Sequence, residues 1–115
     1  MSQRLASLSD VDRSSDIAAR TVYHGTGRLA WETWIQQEGL RPSVLGYTVT
    51  SIWRVARAFA NDWDCPEQGD EGIVIRIDIP RAEFGIYVDE GSAQDGEYCL
   101  RQTIPPRYLQ EDVPT

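Results

Sequence analysis

Ile73-Val74-Ile75-Arg76-Ile77-Asp78-Ile79 sets four isoleucines on one side of an extended chain and places Arg76 and Asp78 on the other. Side chains alternate across a strand, so this stretch reads as a β-strand with one buried face, closed by Pro80. Upstream, Thr21-Val22-Tyr23-His24 is a second β-type run, and the expectation is that Gly25-Thr26-Gly27 stops it in a tight turn. Two strands rich in β-branched residues, separated by helical patterns, point to an α+β domain.

Between those runs lie two helical patterns. Over Leu29–Glu38, Trp31, Trp34 and Ile35 fall on one face and Gly39 follows as a C-terminal stop. Ile52, Val55, Ala56 and Phe59 repeat at i, i+3, i+4 and i+7, which predicts a helix over Ile52–Asn61 with that stripe against the core and Ser51 as its cap. After the Arg41-Pro42-Ser43 turn, Val44–Thr50 is expected as a strand, and the acidic stretch Asp62–Gly72 as an exposed loop. Beyond Pro80, short strands are expected at Phe84–Val88 and Glu97–Gln102, with Asp89–Gly96 a polar loop between them and a last strand at Arg107–Leu109. In the Glu97–Gln102 strand, Glu97, Cys99 and Arg101 share one side, and Tyr98, Leu100 and Gln102 the other.

The 115 residues suit one compact domain, read here as residues 21–115 behind a leader, residues 1–20, with a short helix around Asp16–Arg20. A hydrophobic content of 41% and a charged content of 25% are ordinary globular values, which argues against disorder. The formal charge of −7 removes the long-range attraction on which nonspecific nucleic-acid or anionic-membrane binding depends. Cys65 and Cys99 have no CxxC or neighbouring Cys/His spacing, so the expectation is free thiols in a reducing compartment and no metal. No stretch approaches the ~20 apolar residues of a membrane span and the amino-terminus lacks an apolar signal core. The expected location is therefore the cytoplasm, or a host cytosol reached by a non-Sec route.

His24 is the single histidine, at a strand end beside glycines. Alone it reads as a hydrogen-bonded strand-end imidazole, Tyr47 as packing and Glu97 as a solvated carboxylate. Their order and surroundings carry more. Tyr23-His24-Gly25-Thr26, a helix ending in Glu38-Gly39-Leu40, Gly46-Tyr47-Thr48-Val49-Thr50-Ser51 ahead of an Ala-rich helix, and Gly96-Glu97-Tyr98-Cys99-Leu100 together resemble the ADP-ribosyltransferase superfamily. The resemblance is to its His-Tyr-Glu branch, which includes diphtheria toxin and the poly(ADP-ribose) polymerases, and it spans about Val22 to Leu109.

That resemblance implies a split antiparallel β-sandwich with short helices, gripping NAD as a substrate in a cleft. It implies that Gly25 and Thr26 present backbone to the nicotinamide carboxamide, that His24 bonds a ribose hydroxyl, and that Tyr47 stacks on the nicotinamide. Phe59 is the second aromatic, with Trp53 as the alternative. Glu97 becomes the catalytic carboxylate, ahead of Glu90, and Asp95 takes the acceptor-binding place two residues before it. The activity implied is mono-ADP-ribosyl transfer, to a protein sooner than to nucleic acid, in a bacterial or phage toxin or effector with an antitoxin or immunity partner. The alternatives are an NAD glycohydrolase, an RNA 2′-phosphotransferase using Arg28, Arg41, Arg54 and Arg57, and a noncatalytic nucleotide-binding or interaction module.

Overall fold

The computed structural model describes residues 19–42 and 48–113. Six strands, β1 (Ala19–Gly27), β2 (Thr48–Thr50), β3 (Gly72–Pro80), β4 (Val88–Gln94), β5 (Glu97–Leu100) and β6 (Leu109–Glu111), form one sheet in the order β4-β5-β2-β1-β3-β6. Every neighbouring pair is antiparallel. Helix α1 runs through three consecutive segments, Arg28–Ala30, Trp31–Ile35 and Gln36–Glu38; α2 is Trp53–Asn61 and α3 is Phe84–Tyr87. The architecture is thus α+β, with the strands in a single sheet rather than the expected sandwich of two.

The central pairing is β1 with β3, registered without a break from Ala19↔Pro80 to Gly27↔Gly72. Ile75, Ile77 and Ile79 are fully buried and Ile73 nearly so, as their alternation predicts. They pack with Val22, Trp31, Ile35, Leu40, Phe84 and Ile104 in the main core, on the face covered by α1. Gly39 ends α1 at φ 97°, a conformation that favours glycine, and its N–H bonds the Ile35 carbonyl at 2.9 Å.

Gly25-Thr26-Gly27 is not a turn. It continues β1, because its backbone is in register with Gly72, Ile73 and Val74 of β3. The glycines serve the opposite face, where α2 lies directly on the strands. A Cβ on Gly25 would strike the Ala56 carbonyl, and one on Gly72 the Ala60 carbonyl. That close seat accepts only alanines, so α2 turns Ala56 and Ala60 inward and leaves Ile52 and Phe59 exposed, contrary to the expected core stripe. Ser51 does not cap the helix either; the Thr50 hydroxyl accepts the Ile52 N–H at 3.0 Å.

Further differences have local causes. Phe84–Val88 is mostly the helix α3, since Phe84 and Val88, four residues apart, are the buried positions while Gly85 and Ile86 are exposed. Asp89–Gly96 is chiefly strand β4: an edge strand needs only backbone pairing, and its polar side chains face solvent. β5 ends at Leu100 and β6 begins at Leu109, after a 3₁₀ turn at Pro106–Tyr108. Ala19 and Arg20 open β1 instead of closing a leader helix, and residues 1–18 lie outside the described residues. The expected strand Val44–Thr50 is present as Thr48–Thr50; positions 43–47, Tyr47 among them, also lie outside the described residues.

Candidate functional site

The sheet has a seam. Whereas β1 and β3 pair along their full length, β1 and β2 share Tyr23↔Thr50 as their registered pair among the described residues. On the far side of the seam, β2 pairs with β5 from Thr48↔Cys99 to Thr50↔Glu97. His24 therefore stands on one lip and Glu97 one strand beyond the other, with Thr48 between them.

Thr48 bonds to both. His24 Nδ1 lies 2.8 Å from the Thr48 carbonyl, and the Thr48 hydroxyl donates to Glu97 Oε1 at 3.1 Å. A carbonyl oxygen only accepts, so His24 donates from a protonated Nδ1 and its Nε2 carries the acceptor lone pair. The imidazole is 8% exposed. Burial, which disfavours the charged ring, pulls its pKa below the ordinary 6.5 and outweighs the opposing pull of the Thr48 bond. The ring is thus a neutral acceptor at physiological pH.

The register row Tyr23, Thr50, Glu97 also fixes faces: Glu97 shares the α2 face with Tyr23, while His24, one residue along, belongs to the α1 face. The two side chains do not converge directly. They are joined through Thr48, across the seam.

Glu97 is half-buried at the start of β5, where the two-residue Asp95-Gly96 turn reverses the chain. Asp95 at φ 55° and Gly96 at φ 81° give this turn the conformation that Asp-Gly favours in tight hairpins. Asp95 therefore has a structural reason to be there. It also borders a cavity of about 270 Å³ shared by Thr48, Ser92, Glu97 and Cys99. Glu90 is elsewhere, exposed at the sheet edge in an ion pair with Arg20.

Gly25 and Thr26 are buried, the first under α2 and the second opposite Ile73 on the core face. Phe59 is 43% exposed. Ile52, the extended residue before α2, brings its Cδ1 close to the place a Cβ on Gly96 would occupy. The Trp53 indole N–H bonds Asp112 at 2.7 Å, and Trp53 borders a second cavity, about 410 Å³, beside Arg28 and Arg57.

Of the four arginines, Arg28 and Arg57 border that second cavity, and none borders the cavity at Glu97. Arg28 is gripped by Glu111 at 2.7 and 3.1 Å and by Glu71 at 2.6 Å, hydrogen bonds that raise its pKa further still. Arg57 donates to the Gly72 carbonyl, Arg41 lies over the Trp34 ring beside Glu38, and Arg54 is exposed. They form no common phosphate cradle at Glu97. Cys65 and Cys99 are free thiols, as expected. Among the described residues no group of three or more His, Cys, Asp and Glu is placed to hold a metal ion, and no helix is long and apolar enough to cross a membrane.

Sequence reasoning missed Thr48 and Ser92. Thr48 reads only as a strand former beside Tyr47, and its bonds follow from the register of β2 with β5. Ser92 ties the irregular part of β4, donating to the Asp89 carbonyl at 2.6 Å and accepting the Cys99 N–H at 2.8 Å. Compared with known proteins, the chain matches no family model, no curated protein and no solved structure.

Proposed function

We propose that the chain is an NAD-dependent mono-ADP-ribosyltransferase whose site lies at the β1–β2 seam. The observation that carries this reading is the linkage of His24 and Glu97 through one residue, Thr48, where β1 and β2 share one registered pair among the described residues. A neutral imidazole with an acceptor Nε2 suits a ribose hydroxyl, which donates to it. The Glu97 carboxylate, held by the same Thr48, suits a reaction in which positive charge develops on a sugar.

In that reaction the bond from nicotinamide nitrogen to ribose C1′ breaks and its electron pair leaves with nicotinamide. A lone pair of the acceptor forms the new bond at C1′, and the acceptor's proton passes to Glu97 or to water. Glu97, accepting a hydrogen bond from the ribose 2′-OH, favours the oxocarbenium-like transition state more than intact NAD, whose positive charge sits on the departing ring. Phe59 offers an apolar surface for that ring, with Tyr47 assigned by resemblance alone. Asp95, which borders the same cavity, is the proposed acceptor contact. The proposed acceptor is a protein, in keeping with the net charge of −7, and an inhibitory antitoxin or immunity protein is the proposed partner. The pairing of Arg28 with Glu71 and Glu111 and of Arg41 with Glu38, away from the cavity at Glu97, argues against the 2′-phosphotransferase reading.

Incubation of the protein with labelled NAD and a cell lysate tests this. The expected result is label fixed on a macromolecule, reduced about 100- to 1,000-fold by Glu97→Ala, the effect of removing one transition-state stabilising group. Free ADP-ribose in place of labelled protein would identify water as the acceptor. Equal activity of wild type and Glu97→Ala would remove Glu97 from the chemistry.

A further inference from the structure

We propose that Thr48 is the positioning residue of this site, its hydroxyl aiming the Glu97 carboxylate while its carbonyl holds the His24 ring in one tautomer. The inference rests on the transferase reading and extends it to a residue that acts through Glu97 and His24.

A glutamate has three side-chain torsions and gives up substantial rotamer entropy when fixed. Glu97 begins a strand immediately after a turn, so its backbone is set by the Asp95-Gly96 hairpin while its carboxylate is set by whatever donates to it. Thr48 supplies that donor. A threonine hydroxyl has a single proton, and here it is directed to Oε1 at 3.1 Å. That leaves Oε2 to accept from a ribose hydroxyl. The same residue's carbonyl receives the His24 Nδ1 proton at 2.8 Å, which directs the acceptor lone pair to Nε2.

The two halves of this clamp are separable. The carbonyl belongs to the main chain and survives any substitution; the hydroxyl does not. Strand propensity offers no competing reason for threonine, because valine has the same shape and suits a strand equally well. A purely structural Thr48 would lose stability on replacement by valine but leave the turnover of the folded protein unchanged.

The test compares wild type, Thr48→Val and Thr48→Ser in steady-state release of nicotinamide from NAD, with NAD affinity measured separately by calorimetry. Loss of a hydrogen bond to a charged group predicts a fall in kcat of about 10- to 100-fold in Thr48→Val. KM and NAD affinity should stay within about twofold, because the interaction is used chiefly when charge develops on the sugar. Thr48→Ser, which restores the hydroxyl, should recover most of kcat. Circular dichroism establishes that each variant is folded, and Thr48→Ala carries the same expectation if valine prevents folding. Wild-type kcat in Thr48→Val, a serine variant as slow as the valine one, or a loss confined to KM would overturn the positioning role alone. Wild type releasing no more nicotinamide than Glu97→Ala would overturn the transferase reading, and this inference with it.

Discussion

The two sides of the seam are built by different rules. On one side, β1 and β3 pair end to end, with isoleucines on one face and, on the other, glycines under the alanines of α2. On the other side, β2 and β5 are short and β4 is an irregular edge strand; Val49, Thr50 and Val88 are buried, but the remaining side chains of these strands are half-buried or exposed. Burial and close packing concentrate stability in the first side, whereas the second carries the carboxylate, the turn and the open cavity. A rigid plank thus supports a lightly packed flap, and the candidate site lies where they join.

The same substitution on each side exposes the contrast most strongly. Gly25→Ala forces a methyl into the Ala56 carbonyl and should cost about 3 kcal/mol, at the upper end of ordinary overpacking. Gly91→Ala in β4 meets only the Asp89 side chain at 3.4 Å and should fall within about 0.5 kcal/mol of wild type. Urea denaturation of both variants measures the difference. Equal costs would mean that α2 does not sit on β1 as described.

A smaller effect comes from His24 at the seam itself. The unfolded chain takes up a proton near pH 6.5, while the buried ring stays neutral to lower pH. Between those values the unfolded state binds more protons, so stability is level above about pH 6.5 and declines below it, by at most about 1.4 kcal/mol per pH unit. His24→Gln should flatten that part of the stability profile, measured by denaturation at a series of pH values. An unchanged slope in the variant would assign the pH dependence to other groups.

These comparisons also show what could be read from residues alone. The isoleucine alternation of β3 was legible because strand periodicity and burial agree there, and the two faces of β5 because Tyr98 and Leu100 pack against the core. The helix over Trp53–Asn61 was legible as an element, but its inward face was not. Its orientation is decided by glycines on β1 and β3, remote in sequence. For the same reason Gly25-Thr26-Gly27 read as a turn: a glycine kept for close packing looks like one kept for a bend. β4 carries no apolar signal because an exposed edge needs none, and α3 is too short for periodicity to declare it. At the site, Glu97 and His24 stood out by type and context, but Thr48 became visible only once the register of β2 with β5 was known.

Titration of the ¹⁵N-labelled protein with NAD, followed by amide chemical shifts, tests the central claim directly. Shifts are expected on both lips of the seam, at His24 and Gly25 of β1, Thr48 of β2 and Glu97 of β5, weakened when Phe59 is replaced by alanine. Shifts confined to the cavity around Arg28, Trp53 and Asp112, or none at NAD concentrations in the millimolar range, would contradict it.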